Sequence, residues 1–253
     1  MSSSTTSGQG QGDEAPDLVC VVDCVHGMVD ALSCVRWNKH QGAVVELSEH
    51  GIVVTVEESG CLQAKVYLKT ECRSVGSPDA CIHAEIRTRI PDTVAWDYHF
   101  EHAGNTPVTF TVKSAILKES IDDLEWPGSS IQIQFHPDPP SVIFKGEGHG
   151  DLEIEFSYYA NTDLLIAFQC DQELSYRYKY KFLRATTSNV PSSVLKENRG
   201  SKVTIGRGGM LKIQHLVSVA RLGTQSYHNF AGGAQQPSRI AFIEFFVKPE
   251  EDD

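Results

Sequence analysis

The 253-residue chain lacks the features that several function classes require. It has seven cysteines, Cys20, Cys24, Cys34, Cys61, Cys72, Cys81 and Cys170, yet no CxxC pair among them. An odd number of thiols without paired spacing argues against a secreted disulfide framework and fits reduced thiols of the cytosol or nucleus. The intervals Cys20–Cys24 and Cys72–Cys81 are not those of a zinc site, and no metal site or cofactor is expected. Gly206-Arg207-Gly208-Gly209 lacks the Lys-Ser/Thr of a phosphate loop and reads as a hairpin turn. No Ser or Cys sits in a nucleophile elbow, so no catalytic residue is assigned. The opening MSSSTTSGQGQGDEAP has no apolar core of a signal peptide, and residues 1–17 read as a disordered tail. No apolar run is long enough to span a bilayer, so no membrane partner is expected. There is also no excess of base: the net charge is −11, which argues against gripping nucleic acid by clustered Lys and Arg. DNA held by shape or topology stays open.

What is present is an internal repeat. The stretch from Leu18 to Leu68 reads as strand, helix, then three strands: Leu18–Val22, an apolar helical face of Val25, Met28, Val29, Leu32 and Val35, and the runs AVVELS, GIVVTVEE and CLQAKVYL. At an offset of 89 positions Met28 meets Leu117, Val35 meets Leu124, Trp37 meets Trp126, Val44 meets Ile133 and Val53 meets Val142. The second copy begins at Val108 and repeats the βαβββ order, with Trp126-Pro127-Gly128 closing its helix. LLIAFQ then leads to a third copy: a strand Tyr176–Phe182, a weak helix in LRATTSNVPSSVL, the strands SKVTIG and MLKIQHLVSV, and IAFIEFFV closing the sheet. Between the first two copies lie only DACIHAEIRTRI and PDTVAWDYHFEHAGNTP, where a whole further unit would fit. The chain ends RIAFIEFFVKPEEDD; Pro249 stops the strand and four acids keep the remainder solvated.

On RIPDTVAWDYHF, FTVKSAILKESIDDLEW, LLIAFQCDQELSYRYKYKFL and the tail, the sequence resembles the sliding-clamp superfamily. ENRGSKVTIGRGGMLKIQHLV and FIEFFVKPEED are similar in particular to the Rad-type "one" subunit of the nine-one-one checkpoint clamp. The resemblance implies an α+β clamp fold of repeated βαβββ units, with helices lining a ring and antiparallel sheets outside. The N-terminal domain is incomplete, because a clamp subunit has four such units and this chain has three and a remnant. The implied organisation is an N-terminal clamp domain at 18–88, a connector at 89–106, a C-terminal clamp domain at 107–248 and an acidic tail at 249–253.

The resemblance also implies a mechanism without chemistry, in the DNA damage checkpoint and repair, in the nucleus. Two other clamp subunits, a clamp loader, encircled double-stranded DNA and client proteins are the expected partners. Helix-adjacent Arg36, Lys39, Lys113, Lys118, Lys181, Arg184 and Lys196 would face DNA, opposed by Glu119, Asp122, Asp123 and Glu125. Edge strands at Cys81–Thr88 (Ile82, Ala84, Ile86) and Leu152–Tyr158 (Leu152, Ile154, Phe156) would meet neighbouring subunits. Val94, Trp96, Tyr98 and Phe100 of the connector, with Pro249, would dock clients. Two alternatives remain. One is a metal-dependent 3′–5′ exonuclease using Asp122, Asp123 and Glu125, although neighbouring helical residues point about 100° apart. The other is a β-rich adaptor without a DNA role.

Overall fold

The computed structural model describes residues 25–48, 50–68, 98–102, 104, 106–159, 164–196, 199–218 and 240–251. The strand Leu18–Val22 therefore lies outside the described residues. The first unit comprises α1 (Val25–Ser33), β1 (Val44–Ser48), β2 (Gly51–Glu58) and β3 (Leu62–Leu68). The second comprises β4 (Val108–Lys113), α2 (Ser114–Asp123), β5 (Ser130–Pro137), β6 (Pro140–Glu147) and β7 (Asp151–Ser157). β8 (Leu165–Gln169) and β9 (Leu174–Lys179) lead to α3 (Tyr180–Thr187) and α4 (Ser192–Lys196). β10 (Gly200–Ile205), β11 (Leu211–Ser218) and β12 (Ile240–Val247) complete the chain.

The strands form two antiparallel sheets. One has eight strands in the order β1-β2-β3-β12-β11-β10-β4-β8, the other four in the order β7-β6-β5-β9. β12, the last strand, is thus paired on one side with β11 and on the other with β3 of the first unit, Phe245 lying opposite Ala64. The two halves of the molecule share one hydrogen-bond ladder.

Alternation decides which face of each strand is inside. In β4 Val108, Phe110 and Val112 are fully buried while the threonines between them are half-buried. Phe110 reaches across to the four-stranded sheet, with ring centroids 5.6 Å from Phe135 and 6.1 Å from Phe144, and Phe144 continues to Phe156 at 5.8 Å. Rings at these edge-to-face separations add about 0.5–1.5 kcal/mol per pair beyond burial. Helix α2 presents Leu117, Ile121 and Leu124 to the same core. Two further ties join the sheets. Buried Tyr178 of β9 donates its hydroxyl to the Gly209 carbonyl at 2.7 Å. Beside it, a Cβ on Gly209 would sit 2.3 Å from the Tyr176 ring, and the φ of +81° there also suits glycine. The GRGG stretch is indeed the β10–β11 hairpin turn.

Two sequence expectations are corrected. The strand expected over Tyr176–Phe182 ends at Lys179, and the helix starts at Tyr180, breaking before Pro191 into α3 and α4. The aromatic alternation runs through the junction, but Phe182, Leu183, Thr186 and Thr187 bury one helical face. Second, the repeat is one residue out of register in the first unit. Val45 and Val54, not Val44 and Val53, lie on the face that carries Val66 and Ile243 into the core. A one-residue slip exchanges the two faces of a strand. Val45 and Leu47 consequently occupy the core-side face of β1, where they stay 54% and 57% exposed, and β1 has no outer neighbour among the described residues. In the second unit the corresponding strand β5 is covered on that edge by β9.

Candidate interaction surfaces

The helical surface is built on a buried polar knot. α2 begins at Ser114, whose hydroxyl donates to the Arg199 carbonyl at 2.9 Å and lies 2.8 Å from the Ser201 hydroxyl. Ser201 in turn contacts His215 Nδ1 at 2.7 Å, and His215 Nε2 reaches the Thr186 carbonyl of α3 at 2.9 Å. A carbonyl only accepts, so Nε2 carries the proton, and burial lowers the His215 pKa to about 4, holding the ring neutral. This knot fixes α2 and α3 against β10 and β11.

Of the cations expected to face DNA, two are already engaged with acids. Lys118 pairs with Asp122 one turn on, and Arg184 of α3 pairs with Glu125 at 2.6 Å. Lys181 is exposed, its Nζ 4.6 Å from the Phe182 ring centroid. Arg36 and Lys39 are exposed in the turn after α1, and Lys113 is half-buried ahead of α2. Lys196 belongs to α4, and its side chain lies outside the described residues. Of the carboxylates considered for metal chemistry, Asp122 and Glu125 are held in these pairs. Among the described residues no three His, Cys, Asp or Glu side chains converge as a metal site.

At the opposite side of the four-stranded sheet, β7 pairs only with β6, which leaves its outer backbone edge open among the described residues. Phe156 is fully buried against Phe144, so of the three residues assigned to this edge only Leu152 and Ile154 are partly exposed. The other assigned edge, with Ile82, Ala84 and Ile86, lies outside the described residues, as do Val94 and Trp96.

The described part of the connector is stapled to the outer face of the large sheet. Tyr98 is buried and donates its hydroxyl to Glu57 at 3.3 Å; burial first, then the Glu57 carboxylate, pushes its pKa up. Phe100 lies 6.2 Å from Phe246, with Lys212 Nζ 4.3 Å from its centroid. Glu101 accepts from the Arg207 amide at 2.8 Å and pairs with its guanidinium at 2.8 Å. Tyr98 and Phe100 thus pack internally, as an aromatic stripe at this spacing more often does.

The tail follows a similar path. Lys248 N–H donates to the Cys61 carbonyl at 2.9 Å, and Glu250 N–H to the Arg177 carbonyl at 2.7 Å. Residues 248–250 therefore bridge the two sheets. A cleft of about 910 Å³ opens there, lined among others by Cys61, Gln132, Arg177, Lys179 and Pro249.

Comparison with known proteins matches these features. Residues 17–74 match the family described as "Repair protein Rad1/Rec1/Rad17". The chain is 21% identical to the cell cycle checkpoint protein RAD1 of Mus musculus over 294 aligned residues, covering 93% of each. The Homo sapiens protein of that name is 21% identical over 296 residues, covering 95% of this chain and 94% of the relative. The chain is thus similar to Rad1-type checkpoint proteins along almost its whole length. Its fold is that of the sliding clamps: the proliferating cellular nuclear antigen of Entamoeba histolytica superposes with a TM-score of 0.55 at 10% identity, covering 89% of this chain and 96% of that one. The aligned lengths exceed the 253 residues present here, so the Rad1 relatives carry stretches with no counterpart in this chain. The outer edge of β1, bare among the described residues, belongs to the unit that precedes the gap in the repeat.

Proposed function

We propose that this chain is one subunit of a heterotrimeric, nuclear DNA sliding clamp that serves the DNA damage checkpoint and DNA repair. The observation that carries the reading is the combination of checkpoint-protein relatives along almost the whole chain with a clamp fold that leaves the β7 edge open among the described residues. In this reading the chain divides at 18–88, 89–106 and 107–248. β7 joins one neighbour and the Cys81–Thr88 segment the other, while α1, α2 and α3 face encircled DNA. In this reading the chain works without chemistry of its own, and Asp122 and Glu125 serve as ion-pair partners of Lys118 and Arg184. With those cations also partly neutralised and a net charge of −11, retention on DNA comes from closure more than from phosphate contacts. The connector and the tail cleft beside Pro249 are the client-docking region.

The assembled complex, loaded by its clamp loader onto nicked circular DNA, should stay bound through a high-salt wash and be released when the circle is cut. Equal salt sensitivity on circular and linear DNA would contradict encirclement.

A further inference from the structure

The solvent face of the small sheet has a charge order that runs toward its open edge. Arg177 of β9, Gln132 of β5, Lys145 of β6 and Glu153 of β7 lie side by side in one lateral row of the ladder. Lys145 bridges Glu147 at 3.0 Å and Glu153 at 3.3 Å, and Arg177 reaches Glu147 at 3.4 Å. Two further rows end on β7 at Asp151 and Glu155, and neither has an ion-pair partner among the described residues. Both acids are exposed, and both project from the same face as Glu153. The edge strand thus shows three carboxylates on its solvent face with one lysine behind them.

On the core side, half-buried Leu152 and Ile154 line the same edge. Large exposed aromatics stand at its two ends. Trp126, 66% exposed, rests on Gly150, where an added Cβ would come within 2.7 Å of the ring; Tyr159 is 74% exposed. Trp and Tyr are the residue types that most often anchor interfaces.

We propose that β7 accepts an antiparallel strand of a different subunit that carries Lys or Arg at alternate positions on its solvent face and apolar residues on the other. This specifies the partner at the edge assigned under the clamp reading, and it rests on that reading. An incoming cation opposite Glu153 continues the alternating row, and cations opposite Asp151 and Glu155 supply the charge those rows lack. Opposite charges directly across a strand pair are favourable and like charges are not. The same charge pattern disfavours a second copy of this chain at the edge, because β7 against β7 sets three acids against three. Charge choice of this kind governs partner selection and association rate more than buried area does.

The test is assembly of the full-length chain with the two other clamp subunits, followed by size exclusion with light scattering and by binding kinetics. Asp151→Lys with Glu155→Lys leaves the Lys145 bridges in place, and both sites are exposed, so the fold should stand; circular dichroism and thermal melting check this. The expected result is that the wild type binds both partners, with association slowing from about 0.1 M to about 0.5 M salt. The double variant should lose about ten-fold or more in affinity for one partner and retain the other. Ile154→Pro, which removes a ladder N–H, should lose the same partner. Undiminished binding by the double variant, with wild-type assembly intact, overturns the basic-strand proposal alone. Failure of the wild type to bind either partner overturns the clamp reading and the proposal with it.

Discussion

At the scale of single residues, the buried His215 makes the most definite statement about solution behaviour. Its pKa is lowered to about 4 in the folded chain by burial, against an ordinary value of 6.5. Above about pH 6.5 the ring is neutral in both states and folding is unaffected. As pH falls from there toward 4, the unfolded chain takes up a proton that the folded chain refuses, so stability declines. The decline attributable to this one group amounts to roughly 3 kcal/mol at most by the time pH 4 is reached. Urea melts at pH 7.5 and 5 should therefore show a larger loss in the wild type than in His215→Gln, and equal losses would contradict this account. Little of that was legible in the sequence, where His215 is one polar residue in the apolar alternation of MLKIQHLVSV. The partners Ser201, Ser114 and Thr186 come from three other elements, which no local pattern announces. The same holds for Glu125 and Arg184, whose pairing across helices removes two residues that otherwise read as a free acid and a free base.

At the scale of elements, strands with clean alternation were readable and junctions were not. The β-type run GIVVTVEE and the alternating IAFIEFFV and DLEIEF of β7 each form a strand as expected. α3 was misplaced because YRYKYKF keeps a strand-like alternation past the point where packing against α2 turns the chain helical. The three acids of β7 were visible in the sequence, but that Lys145 meets Glu153 and no described cation meets Asp151 or Glu155 depends on the strand register. The loop after α2 offers a sharper test of element packing. Trp126-Pro127-Gly128 runs against the β6–β7 hairpin so closely that a Cβ on Gly148 would come within 1.7 Å of the Pro127 carbonyl, and His149 N–H donates to that carbonyl at 2.8 Å. Backbone on both sides leaves no flexible end to yield. Gly148→Ala should cost about 2–4 kcal/mol, read as a lower denaturant midpoint with the slope unchanged. An unperturbed midpoint would mean that the loop and the hairpin are not held in this contact. Because the hairpin sets the start of β7, the same substitution should also loosen partner binding.

For the whole molecule, the shared ladder through β12 and β3 holds the first unit against the rest of the chain. β12 donates to both halves, and the tail beyond it reaches Cys61 and Arg177, so the C-terminus closes the fold instead of merely solubilising it. The clamp resemblance read from the sequence agrees with the fold and the relatives. Among the described residues β1 has no outer neighbour, whereas β9 covers the corresponding edge of β5. The measurement that bears most directly on the central claim is the mass, by light scattering after size exclusion, of the chain co-expressed with the two other checkpoint-clamp subunits. The account predicts a single species containing one copy of each. A chain that elutes alone, folded but unaccompanied, would contradict it.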